Sequence, residues 1–135
     1  MLTDGVKREI AVTMAAFRKY YDDAVNNKRY GEPQCVADLM CKKLKDLMTE
    51  NVSPGKKQQR AGALEKLPDE PEDHYTLRVY HEAIIRDILK NISKGYTDYV
   101  YDPLLLFELY AYEPQLAFSW KNGAFFVRKE GTDEA

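Results

Sequence analysis

The sequence predicts a mainly α fold, a compact helical bundle of three to four main helices with a β-hairpin at its C-terminal end. Three observations carry that expectation. Apolar residues return at helical spacing through three long stretches, each bounded by cap or turn residues. An Asn-Gly pair at 122–123 separates two short runs of alternating character. A chain of 135 residues with 44% hydrophobic content can bury one core with no disulfide or metal to staple it. A single globular domain over 1–135 follows, made of a basic helical half (1–67), an acidic, tyrosine-rich half (68–130) and a tail at 131–135 expected to fray.

The first helix runs to about Asn27, with Thr3 or Asp4 as its cap. Val6, Ile10, Met14, Phe17, Tyr21 and Ala24 keep one face through six turns, while Lys7, Arg8, Arg18 and Lys19 fall off it. Gly31 and Pro33 break the chain, and Pro33 opens a second helix to Asn51 at a position where its missing N–H costs nothing. Val36, Met40, Leu44 and Leu47 line its buried side, with Ala37 and Met48 widening it. Lys43 sits near the edge of that stripe and is expected to snorkel. The segment from Ser53 to Leu67 reads as a weakly packed helix or a loop. Pro68 to Asp73 is an acidic connector stiffened by two prolines.

Glu72 to Lys94 is the central helix. Leu77, Tyr80, Ile84, Ile88 and Ile92 fall on one side, with Ile85 and His81 beside them; Asp73 is the expected cap and Gly95 the left-handed stop. A short extended piece through Tyr96, Tyr99, Val100 and Tyr101 comes next. Asp102-Pro103 then starts a nearly all-round apolar helix over Leu104–Tyr110, which has to be buried on most sides. Over so short a run the period is ambiguous, and residues 107–112 as a strand would make the class α+β. The Asn122-Gly123 turn sets Trp120 opposite Phe125 and Phe118 opposite Val127, leaving Phe126 on the otherwise polar face.

Charge divides the chain more than its net of −2 suggests. The first 67 residues hold 13 Lys and Arg against 9 Asp and Glu, a balance of +4, and the rest hold 7 against 13, a balance of −6. No run approaches the 18 or so apolar residues of a membrane span, and the N-terminus lacks the apolar stretch of a signal peptide. Cys35 and Cys41 are six apart, about 240° around one helix, and cannot reach each other. Reduced thiols suit a cytoplasmic location with no membrane association.

These residues argue against an enzyme. His74 and His81 lie seven apart on one helical face, whereas a helical metal pair prefers spacings of three or four, and Arg78 between them repels a cation. No metal or other cofactor is expected. The two histidines remain as a polar switch, with His81 as a core-edge residue bonded to a backbone carbonyl. The seven glycines form no phosphate-binding loop. Lys42, Lys43, Lys56, Lys57 and Arg60 form a candidate nucleic-acid surface, the second functional reading. A ligand-binding or catalytic pocket near His81 is the third.

The first reading follows from the aromatics. Ten tyrosines exceed what one small core needs, and Tyr96, Tyr99, Tyr101, Tyr110 and Tyr112 with Phe126 form the densest group, which reads either as an interface or as the second half of the core. Tyrosine is favoured at interfaces because it buries a large ring while its hydroxyl stays wet. The expectation is a non-catalytic regulator or inhibitor that binds another protein through these residues, with self-association through the hairpin edge as a further route.

Overall fold

A computed structural model describes residues 2–27, 31–54 and 65–131. The element order is α1 (Asp4–Asn27), α2 (Pro33–Asn51), α3 (Glu72–Ser93), β1 (Asp98–Val100), α4 (Pro103–Tyr112), β2 (Leu116–Lys121) and β3 (Ala124–Lys129). The architecture is a mainly α helical bundle with a C-terminal antiparallel strand pair. Of the Ser53–Leu67 segment, residues 55–64 lie outside the described residues, and 65–67 are not helical.

Helix ends follow local chemistry. Thr3 Oγ1 accepts from the Val6 N–H (3.2 Å) at the start of α1. Asp102 accepts from the Leu104 N–H (3.0 Å) ahead of Pro103, which fixes the start of α4. At the end of α3, Gly95 takes φ 89° and two bonds close a Schellman motif: Tyr96 N–H to Asn91 O and Gly95 N–H to Ile92 O, both 3.1 Å. The start of α3 departs from expectation. Its N-cap is Pro71, which makes no side-chain cap bond, and Asp73 lies inside the first turn, where its Oδ1 accepts from the His74 N–H at 3.0 Å and its charge suits the helix dipole.

The apolar stripes of α1 and α2 are buried as the periodicity predicts. Ile10, Met14, Phe17 and Ala24 are buried on α1, and Val36, Ala37, Met40, Leu44, Leu47 and Met48 on α2. On α3 the stripe is only half right. Ile85, Ile88 and Ile92 are buried, but Leu77 is 66% exposed and Tyr80 67%. Length explains this. The 22 residues of α3 span roughly 33 Å, against roughly 15 Å for the ten-residue α4 beside it, so the first turns outrun their packing partners.

The tyrosine-rich extended piece becomes the third strand. The sheet order is β1-β3-β2, antiparallel throughout, with Asp98 opposite Val127 and Tyr99 opposite Phe126. Residues 107–112 are helical, so the α+β alternative through that segment does not hold; α4 buries Leu106, Phe107, Leu109, Tyr110 and Ala111 and is apolar on too many sides to lie in a three-stranded sheet. The hairpin register is as predicted, Trp120 with Phe125 and Phe118 with Val127, across a turn in which Asn122 and Gly123 take φ 52° and 88°.

Part of the hairpin's outer edge is occupied. Its inner strand β3 is central in the sheet, and the outer edge of β2 faces α2. Gln34 Nε2 donates to Trp120 O and Lys45 Nζ to Leu116 O, both at 3.2 Å. The free edge belongs to β1, which is three residues long, and the Tyr99 N–H there is bonded to Asp98 Oδ1 at 2.8 Å.

The acidic connector is tied down by two cations: Lys66 Nζ pairs with Glu72 Oε2 at 2.8 Å on the surface, and Arg78 makes the more extensive contact. Arg78 grips Glu70 with two bonds, Nε to Oε2 at 2.8 Å and Nη2 to Oε1 at 2.7 Å, and reaches Glu65 O at 3.0 Å. This bidentate pairing holds the Glu70 carboxyl below its ordinary value of 4.5, since a hydrogen-bonded guanidinium favours the charged form. A depressed carboxyl pKa contributes stability that is complete above the unfolded value and lost as pH falls through the folded one. Arg78→Met is therefore expected to loosen the connector near neutral pH and to differ little from the parent well below pH 4.5, read as amide exchange at Leu67 and Glu70 across a pH series. Phe107, 1% exposed in the centre of the core, tests the packing: Phe107→Ala is expected to cost about 3–5 kcal/mol in denaturant unfolding.

Candidate functional site

The outer face of the sheet is built around β1. Asp98 positions it twice: one carboxyl oxygen accepts from Asn91 Nδ2 at 2.9 Å, fastening the strand to the end of α3, and the other takes the Tyr99 N–H. Strand alternation then turns Val100 into the core and Tyr99 outward. Tyr99 stands across from Phe126, ring centroids 6.5 Å apart, and meets Tyr101 edge-on at 5.7 Å and 77°. Tyr96, Tyr99 and Tyr101 are 64%, 54% and 71% exposed, and Phe126 is half-buried.

The six aromatics of the predicted group separate into two sets. Tyr96, Tyr99, Tyr101 and Phe126 lie on or beside the outer sheet face. Tyr110 is 7% exposed and packs in the core, where Lys45 Nζ lies 5.5 Å from its ring centre. Tyr112 is half-buried and donates from its hydroxyl to Glu82 Oε1 at 3.3 Å. Strand period turns Tyr99 and Phe126 away from the core, Tyr96 and Tyr101 flank β1 and stay exposed, and the apolar surroundings of α4 draw the second set in.

The basic and histidine residues are more scattered. Lys42 and Lys43 are exposed on α2, and Lys56, Lys57 and Arg60 lie outside the described residues. His74 and His81 are both exposed on α3, and His81 is not the core-edge residue the stripe suggested, because that stretch of helix outruns its packing. Among the described residues, no three His, Cys, Asp or Glu side chains come together as a metal site, and no helix is long and apolar enough to cross a membrane.

The sequence reading missed a groove between α1 and α2. It measures about 540 Å³, and Val12, Ala16, Phe17, Val36, Leu39 and Met40 line it. Val12 and Leu39 are apolar yet lie off the buried stripes of their helices, and that is the signal that could have found it.

The two thiols differ in chemistry. Cys35 is exposed; Cys41 is buried and its pKa is pushed up to about 11, first by desolvation and then by the nearby Asp38 charge, against a smaller opposing hydrogen bond from the Trp120 backbone. Cys41 is thus a protonated packing residue at neutral pH. In a thiol-modification assay on the native chain, Cys35 is expected to react within the mixing phase. Cys41 is expected to react only on addition of denaturant, and Cys35→Ser to abolish the fast phase.

Comparison with protein-family models, with curated proteins and with solved structures finds no match for this chain, so its function is argued from its own geometry.

Proposed function

We propose that this chain is a small non-catalytic interaction protein, a regulator or inhibitor, that binds another protein through Tyr96, Tyr99, Tyr101 and Phe126. One observation carries the reading: three tyrosines more than half exposed, two of them held ring against ring, one on the short strand anchored by Asp98 and the other just beyond its end. Anchoring matters because a rigid aromatic loses little conformational freedom on binding, and large rings in fixed positions are the usual hot spots of protein interfaces. The acidic balance of the second half, −6, favours a partner with a basic rim around an apolar centre.

The nucleic-acid reading has less support. Lys45, which flanks Lys42 and Lys43 in sequence, is committed to Leu116 O and the Tyr110 ring and so adds nothing to that pair.

Immobilised chain is used to capture its partner, and the affinity of the recovered protein is then measured by biolayer interferometry. Tyr99→Ala and Tyr101→Ala are each expected to weaken binding by tenfold or more, about 1.4 kcal/mol, with thermal unfolding little changed because both rings are exposed. Unchanged affinity in the double variant removes the proposal.

A further inference from the structure

The groove between α1 and α2 is lined mainly by apolar side chains. Phe17, Val36 and Met40 form its buried floor, while Val12 on one wall is 63% exposed and Leu39 on the other 68%. Lys43 adds a cation to the lining, and an adjoining hollow that shares Val12, Thr13 and Lys43 brings in Arg8 and Glu9. Cations thus outnumber carboxylates at that end.

The first turns of α3 carry the opposite shape. Leu77 and Tyr80, spaced i and i+3, stand out as an apolar ridge that continues to the half-buried Ile84. At about 100° per residue, Asp73 and Asp87 fall along the same stripe, and both are exposed. Anchors at i, i+3 and i+7 are how an amphipathic helix engages a groove between two others.

We propose that the Leu77–Tyr80 ridge of one copy seats in the α1/α2 groove of a second copy of this chain. Both sides of the contact are on the same chain, and each exposes large apolar side chains that a monomer leaves wet. Their charges match as well. The groove belongs to the half with balance +4 and the ridge to the half with −6, and Asp73 or Asp87 meets Arg8 and Lys43 as the ridge enters. Every copy offers a groove and a ridge, so the contact either closes as a two-fold pair or continues head to tail. Leu77 and Tyr80 lie roughly 20–24 Å along α3 from its C-terminal end, beyond which Tyr96 begins the tyrosine surface, so the two surfaces can be occupied independently.

Sedimentation velocity of the full chain over a concentration series reads the outcome. The mass is expected to rise from 15.6 kDa to at least twice that value, and the association to weaken as salt is raised. Leu39→Glu in the groove and Leu77→Glu on the ridge are each expected to move the association midpoint upward by tenfold or more. Circular dichroism checks that both remain folded, and Val12→Glu and Tyr80→Glu replace either that does not. Mixing the two variants is expected to restore a pair, because the intact groove of one meets the intact ridge of the other. A chain that stays at 15.6 kDa throughout overturns the proposal. So does association that survives either substitution, or a mixture that stays monomeric; blocking by Leu39→Glu alone is one such result and would seat a different surface of the second copy in the groove.

Discussion

Trp120 holds the two halves of this molecule together. Its ring meets Phe17 and Tyr21 of α1 edge-on, centroids 4.9 Å away in each case, while its backbone oxygen accepts from Gln34 of α2. Those partners lie about a hundred residues away along the chain for α1 and 86 for Gln34. A two-stranded hairpin is marginal in water by itself, so its stability depends on this docking. The α1/α2 pair gains as much from it, because Ile10, Leu44 and Met48 would otherwise face solvent and instead join one core with Leu116, Phe125 and Val127. Lys45 extends the same seam by bonding Leu116 O, and Cys41 is buried along it.

With the hairpin fixed on α1 and α2, the remaining elements have limited room. β1 adds to the far side of β3 and α4 fills the space below, and α3 can lie only along those short pieces. Its C-terminal half buries three isoleucines; its N-terminal half projects, steadied by Glu82 with Tyr112 and by Arg78 with Glu70. The exposed tyrosines, the ridge at Leu77 and the groove at Val12 and Leu39 share one cause. On α1, α2, α3 and β1 the core packs one side, and apolar residues beyond that side remain uncovered.

How far the sequence could be read depended on whether the signal was local. The stripe Val6, Ile10, Met14, Phe17, Tyr21, Ala24 defines the buried face of α1 because a six-turn helix repeats its pattern many times. The hairpin register could be read from Asn122-Gly123 alone, since the turn dictates which residues oppose each other. Leu77 and Tyr80 misled for the opposite reason: periodicity says which side of a helix is apolar and nothing of how much neighbour lies alongside. Within the candidate surface, Tyr99 and Tyr110 looked alike in sequence. Their separation into exposed strand and buried helix came from elements too short for period to decide.

By itself the sequence determined the mainly α class, the bounds of the long helices, the cap at Asp102, the left-handed stop at Gly95 and the pairing of the hairpin. Each is set by contacts within a few residues, and side-chain pattern and backbone preference encode those directly. Only the tertiary structure decided that β3 is the central strand, that α2 covers the edge of β2, that α3 overhangs its partners, and which tyrosines face solvent. Those outcomes depend on the relative lengths and placements of elements far apart in the chain, and no local pattern carries that information.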